Sequence, residues 1–282
     1  VDCGINWIDT AAAYGTGHSE EIVARAVAEI PPRQRPLIFT KCSLIWDEKR
    51  NISHSLQPES LRRELEDSLR RLHVESIDLY QVHHIDRSIT LEEFWGTFEK
   101  LVADGKVLYT GSSNFPGWGL AKYQMQAMQR GSMGFVSEQT MYNLLCRWPE
   151  LEVLPAAQDL GIGVIPYMPL AGGILTAKVQ SESGSRTAAV EKEYGIPVDG
   201  DQIKTYQALC SDLGESPVAV AIAWTLAQPA VSSAIVGIRT LAHLDDMDRA
   251  SELHLDEETL GRLDEIFDTN KGRSIRTSKP AP

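Results

Sequence analysis

Apolar residues fall along this chain in short blocks that alternate between two spacings. Runs of strand length at 5–9, 37–41, 77–83, 107–112, 135–139, 163–167 and 234–237 read as buried β-strands. Between them, apolar residues recur every third or fourth position over 20–30, 58–72, 118–129, 149–160 and 217–227, which predicts helices. Pro31 and Pro32 stop the first helix, and Pro58 sits at the first position of the second. Leu61, Leu65, Leu69 and Leu72 form the second helix's stripe, with Glu59/Arg63 and Glu66/Arg70 as helpful i,i+4 pairs. Thr90 and Glu93 make a capping box ahead of Phe94, Trp95, Phe98, Leu101 and Val102, and Gly105 closes that helix. Ser19 reads as an N-cap, residues 43–57 as a long polar loop, and 178–201 as an exposed excursion. Two amphipathic helices near 241–250 and 256–267 precede a basic tail.

Strands and helices thus alternate with short links, which implies a parallel sheet with right-handed crossovers. About seven such strands is one short of a closed eight-stranded barrel. With no repeat of fixed period and no long linker, residues 1–282 read as a single domain, 241–282 being its C-terminal helices and tail.

Composition narrows the function. A length of 282 residues is ordinary for one α/β barrel. The net charge of -12 speaks against nucleic acid or an anionic membrane as partner, because either needs a basic face. No apolar run of about 18 residues and no export signal occurs. Cys3, Cys42, Cys146 and Cys210 lack metal or disulfide spacing, which suits buried thiols in a reducing cytoplasm, with no metal site.

The strand ends carry the candidate chemistry. The first three runs end on or beside Asp9, Lys41 and His83, and Tyr14 lies in the first loop. In a barrel the site lies at these carboxyl ends. Taken alone, 6–20 fits an ordinary strand-to-helix loop equally well, with Asp9 on backbone amides and Tyr14 packed. One ionisable group per βα unit is harder to explain that way, because buried charges must satisfy one another or line a cleft. The set suits carbonyl reduction. Hydride addition creates an alkoxide that needs a proton, and a phenol can supply it if a neighbouring ammonium lowers its pKa. Lys41 is the candidate ammonium, Asp9 its partner, and His83 a hydrogen-bond donor to the carbonyl oxygen. Of His83 and His84, strand alternation turns one inward; His83 shares a face with Gln81 and is favoured.

The stretches GINWIDTAAAYGTGHSEE, FTKCSLIWDE, IDLYQVHH, GKVLYTGSSNF, EQTMYNLL, GIGVIPYMPLAGGILTAK and AIVGIRT closely resemble the aldo-keto reductase family, in the family's order and over nearly the whole chain. Bacterial-type members, which are related to potassium-channel β subunits, are the most similar. The resemblance implies a (β/α)8 TIM barrel. The family has a strand and helix before the stretch at 6–20, so a barrel lacking its first β/α unit at the N-terminus is expected of these 282 residues. It further implies Asp9, Tyr14, Lys41 and His83 as catalytic residues and NADPH, or alternatively NADH, as cofactor. Ser113, Asn114 and Gln139 would hold the nicotinamide carboxamide, and Tyr167 would stack on its ring. Leu170, Gly172 and Leu175 would cover the pyrophosphate, with Gly237 and Arg239 toward the 2′-phosphate. Trp46 and His84 would line the substrate mouth. Met247 and His243 depart from the family's adenine and phosphate contacts, leaving Arg239 as the one clear 2′-phosphate ligand. The expected partner is a small carbonyl substrate, a sugar or ketosugar among the options, and monomer and homo-oligomer are both open. A cofactor-holding regulatory subunit and an inactive fragment are the rival readings.

Overall fold

The computed structural model describes residues 4–176, 199–238 and 240–267, with the single positions 192 and 195. The chain divides into two compact units, residues 1–139 with 159–162, and residues 140–158 with 163–282.

The first unit runs β1 (Trp7–Asp9), α1 (His18–Ala28), β2 (Leu37–Cys42), β3 (Leu44–Trp46), β4 (Ile52–His54), α2 (Pro58–Leu72), β5 (Ile77–Val82), α3 (Leu91–Ala103), β6 (Val107–Ser113), α4 (Gly117–Gln129) and β7 (Phe135–Gln139). Strands β1, β2, β5, β6 and β7 lie side by side in that order, all parallel. The alternating pattern predicted this arrangement. Strand β5 is buried at all but one position, as expected where helices cover one face of a parallel sheet and the other faces a core. The register matters for the site: Lys41 pairs with Gln81, Gln81 with Gly111, and Ser113 with Gln139.

Helix α2 begins at Pro58 and buries Leu61, Leu65, Leu69 and Leu72 as its spacing requires. Helix α3 has the reciprocal Thr90–Glu93 capping box. Its Phe94 and Trp95 pack with Tyr123 and Phe135, and the Trp95 indole N–H donates to the Tyr123 carbonyl at 2.9 Å. That aromatic layer fixes α3 and α4 against β7.

Two local expectations are corrected. Residues 43–57 contain a hairpin, with Leu44 opposite His54 and Trp46 opposite Ile52. Asp47 turns it, its carboxylate accepting from the N–H groups of Lys49 and Asn51 at 2.9 Å. Strands of three residues are too short to leave a periodic signal. Ser19 is no N-cap: α1 starts at His18, two residues before the expected start, after Gly17 at φ 98°, and the Ser19 hydroxyl meets that of Thr10 at 2.8 Å.

The second unit holds a 3₁₀ turn at Trp148–Leu151, α5 (Val153–Asp159), β8 (Gly163–Val164), a kinked 3₁₀ segment at Ala171–Thr176, α6 (Gly200–Leu213), α7 (Pro217–Leu226), α8 (His243–Glu252) and α9 (Glu257–Phe267). The expected helix 149–160 is split, because Pro155 has no N–H and fits only inside the first turn of a helix starting at Val153. The expected strand 163–167 shrinks to two residues for a similar reason. Val164 bridges to Val231, Pro166 interrupts, and Tyr167 bridges to Met141. Residues 234–237 are not a regular strand; the Ile235 N–H donates to the Pro166 carbonyl at 2.9 Å, and Pro166 has no N–H to return. Helix α6 was not anticipated; Asp199 caps it, accepting from the Asp201 N–H at 2.9 Å. Met247 of α8 packs against Ala219, Ile222 and Ala250. The excursion at 178–198 and the tail at 268–282 lie outside the described residues, apart from 192 and 195.

Two buried acids predict a pH dependence. Glu138 accepts from the Ser112 hydroxyl at 2.5 Å and the Phe115 N–H at 3.0 Å, and burial pushes its carboxyl up to about 8. Glu64 accepts from the Ser43 N–H at 2.9 Å and the Ser60 hydroxyl at 3.1 Å, with burial raising it to about 7. Both acids keep their proton in the folded state at a pH where the unfolded chain, near 4.5, has lost it. Folding therefore binds protons, and stability should fall as pH rises from about 4.5 to about 7 for Glu64 and to about 8 for Glu138, by up to about 1.4 kcal/mol per pH unit for each acid. Urea melts at pH 5.5 and 8.5, for the chain and for Glu138→Gln, should show the slope and its reduction; a flat profile would count against both assignments.

Candidate active site

Asp9 ends β1, and Lys41 lies one residue from the end of the neighbouring strand β2. Adjacent parallel strands bring the two together across the ladder. The Lys41 side chain is completely buried; its Nζ donates to Asp9 Oδ2 at 2.5 Å and to the Thr10 carbonyl at 2.9 Å. The loop after β1 folds back on itself, with the Tyr14 N–H donating to the Ala11 carbonyl and Gly15 and Gly17 at positive φ. This turn sets the Tyr14 ring over Lys41, 5.0 Å from Nζ to ring centroid. The His83 ring meets the Tyr14 ring edge-on at 5.7 Å. Asp9, Tyr14, Lys41 and His83 therefore converge.

Their electrostatics differ from the expectation in one respect. The Tyr14 phenol is raised, not lowered, first by the surrounding protein and then by the Asp9 charge. The Lys41 ammonium bonds Asp9 and Thr10 and faces the Tyr14 ring. Burial lowers the Lys41 ammonium, and Asp9 opposes that shift. Burial, with Lys41 next, drives the His83 imidazole down to about 2, so it is neutral. Tyr14 remains 43% exposed, Asp9 and His83 are partly buried, and Lys41 is buried.

Both histidines after β5 face the same place. Their rings are parallel, 5.2 Å apart. Strand alternation does not separate them because the chain leaves the ladder at Val82. The His83 N–H donates to the Cys42 carbonyl, and the His83 carbonyl accepts from Asn114 Nδ2 at 3.2 Å. His84 in turn meets the His54 ring edge-on at 5.5 Å. His54 was missed, because only the hairpin carries it there. Trp46 lies against the Arg71 guanidinium at 5.7 Å, and Arg71 bonds the buried Glu20 at 2.6 Å.

Ser113, Asn114 and Gln139 are assembled at the ends of β6 and β7. The Ser113 hydroxyl donates to the Gln139 carbonyl at 2.9 Å, and Asn114 Nδ2 donates to Ser113 Oγ at 3.0 Å. Asn114 adopts φ 59°, which asparagine tolerates better than most residues. The Gln139 side chain turns toward Asp9, its Nε2 donating to Asp9 Oδ1 at 2.9 Å. Gln81 joins them from β5, at 3.1 Å from the same oxygen. Strand alternation puts it on the face of His83, where an uncharged amide gives no sign of a role.

Tyr167, Leu170, Gly172, Leu175 and Gly237 belong to the second unit. The Tyr167 N–H donates to the Thr140 carbonyl at 2.9 Å, fixing that residue's backbone. Leu170 packs on the Ala219–Ile222 cluster, while Gly172 and Gly173 take positive φ and kink the segment before the fully buried Leu175. Gly237 is exposed, and Arg239 lies outside the described residues. Among the described residues no cluster of three or more His, Cys, Asp or Glu side chains could hold a metal, and no helix is long and apolar enough to cross a membrane.

A family model described as the Aldo/keto reductase family matches residues 1–268. The chain belongs to the aldo/keto reductase family. An uncharacterized oxidoreductase of Bacillus subtilis, YrpG, is 43% identical over 95% of this chain and 84% of its own length. The NADH-specific methylglyoxal reductase of Escherichia coli is 32% identical over 83% of this chain and 75% of its own. Among solved structures, the glycerol dehydrogenase of Gluconobacter oxydans superposes with a TM-score of 0.84 at 31% identity, covering 99% of this chain and 86% of that one. The fold is thus the α/β barrel type of the family, and this aldo/keto reductase is an NAD(P)H-dependent oxidoreductase. Enzymes of the family act on small carbonyl compounds.

Proposed function

We propose that this aldo/keto reductase reduces a small aldehyde or ketone, a sugar or ketosugar among them, to the alcohol, with NADPH as cofactor and Tyr14 as proton donor. The observation that carries the reading is the fully buried Lys41, pinned by Asp9 beneath the Tyr14 ring and next to a neutral His83. A nicotinamide cofactor, when bound, supplies the hydride. The chain's own residues manage the oxygen. His83, being neutral, offers an N–H to the carbonyl oxygen and helps hold the charge that develops there. Tyr14, with its phenol raised, stays protonated throughout the neutral range and is a loaded donor. An alkoxide is a stronger base than even a raised phenolate, so the transfer runs downhill. Lys41 then faces the phenolate that remains.

The chemistry of Ser113, Asn114 and Gln139 fits a nicotinamide carboxamide, which needs both a donor and an acceptor. The 2′-phosphate reading rests on the resemblance at Arg239. The Escherichia coli relative named as NADH-specific favours NADH as the competing cofactor. Following loss of reduced cofactor by absorbance, with each of NADPH and NADH, against aldehydes, ketones and ketosugars tests all three points. Turnover with a higher kcat/KM for NADPH is expected. Tight cofactor binding with no turnover on any carbonyl would replace this reading by that of a cofactor-holding regulatory subunit.

A further inference from the structure

We infer that Gln81 is a positioning residue for the Asp9–Lys41 pair, acting with Gln139 as an amide clamp on Asp9. The inference rests on the reductase reading of that pair. Asp9 is held at both oxygens: Oδ2 takes Lys41, while Oδ1 takes the amides of Gln81 at 3.1 Å and Gln139 at 2.9 Å. The two amides are also joined, Gln139 Nε2 donating to Gln81 Oε1 at 3.2 Å. Gln81 is completely buried at an inner strand position, where a packed barrel ordinarily places branched apolar residues. A buried amide there costs stability unless its hydrogen bonds are met, and these are met by Asp9 and Gln139.

The neighbouring strand makes room for it. Gly111 pairs with Gln81, and a Cβ at Gly111 would stand 3.1 Å from Gln81 Cγ and 2.4 Å from Ser137 Oγ. A side chain at Gly111 would clash first with Ser137 Oγ and would crowd Gln81 Cγ by a few tenths of an ångström. Fixing Asp9 Oδ1 leaves Oδ2 no direction but toward Lys41. The charged and titratable groups around Lys41 are Asp9 from β1, Tyr14 from the first loop and His83 from the end of β5. Asp9 alone among them supports the ammonium. Loosening Asp9 should therefore lower the Lys41 pKa further.

The test compares the chain with Gln81→Leu, which keeps volume and removes the amide, and with Gln81→Glu, whose carboxyl can donate to Asp9 only while protonated. Losing a hydrogen bond to a charged group predicts a kcat lower by about 10- to 100-fold in Gln81→Leu. KM for the carbonyl should stay nearly constant, and the basic limb of the kcat profile should move to lower pH. Gln81→Glu should keep activity at low pH and lose it at lower pH than the parent. Titrating the Lys41 ammonium by NMR in parent and Gln81→Leu reads the clamp without turnover; it should fall in the variant. An unmoved Lys41 titration, or an unchanged pH limb with only a lower Tm, overturns the clamp. A lowered Lys41 titration in a protein whose parent turns over no carbonyl keeps the clamp and removes the reductase reading instead.

Discussion

Tyr14→Phe should bind reduced cofactor nearly as tightly as the parent and reduce no carbonyl at a measurable rate. The substitution removes one oxygen and leaves the ring that packs over Lys41 and against His83. The fold should not notice it, because Tyr14 is half exposed and its backbone hydrogen bonds do not involve the hydroxyl. What disappears is the proton for the alkoxide. Positioned acid catalysis contributes about 10²- to 10⁴-fold, and the loss here should reach at least that range. Water cannot substitute well, since the other groups around the oxygen offer no acidic proton: His83 is neutral and the Lys41 ammonium is turned to Asp9 and Thr10. Cofactor fluorescence titration and steady-state rates on the best substrate of the panel decide the matter. Undiminished turnover would remove Tyr14 from the chemistry, while equal loss of cofactor affinity would make it a binding residue.

The raised phenol also shapes how the rate should depend on pH. A donor whose pKa is held high does not deprotonate as the solution becomes mildly alkaline, so Tyr14 itself should not limit reduction there. Lys41 is the group whose ammonium burial weakens. The alkaline limb of reduction should therefore follow the Lys41 ammonium, which is why Gln81, which bonds Asp9 and not Lys41, should move it.

The placement of these residues was largely legible in the chain. Asp9, Lys41 and His83 announce themselves because each ends, or nearly ends, an apolar strand where a parallel sheet would carry them to one edge. Long helices with clean stripes, such as that of Leu61 to Leu72, are fixed by side-chain spacing alone. Three things were not legible. The hairpin that brings His54 to His84 is made of strands too short for periodicity. The alternation expected to separate His83 from His84 lapses where the ladder ends at Val82, which depends on hydrogen bonds and not on residue type. The sign of the Tyr14 shift is set first by burial and then by the nearby Asp9 charge, and both depend on packing that residue types alone do not reveal. Glutamine gives a weaker signal than a charged residue, so Gln81 and the inward turn of Gln139 emerged only from the geometry.

Lys41→Met should lose both stability and catalysis, and a second substitution should separate the two losses. Methionine matches the lysine stem and fills the same space, so cavity formation is small. It leaves the Asp9 carboxylate, whose side chain is 7% exposed, without its cation. Removing one partner of a buried pair costs about 3–5 kcal/mol, because the remaining charge is stranded rather than because the pair was worth that much. The amides of Gln81 and Gln139 still donate to Asp9, which places the expected loss toward the lower end of that range. Adding Asp9→Asn removes the stranded charge, so the double variant should recover most of the lost stability. It should recover no activity, because the ammonium beneath Tyr14 is still missing. Urea unfolding at constant m-value gives the first quantity and turnover with saturating cofactor the second. A cost below about 1 kcal/mol for Lys41→Met would mean the pair behaves as a solvated surface bridge. Recovery of turnover in the double variant would show that Asp9, once neutral, needs no lysine, and the arrangement of charge beneath Tyr14 would have to be assigned another purpose.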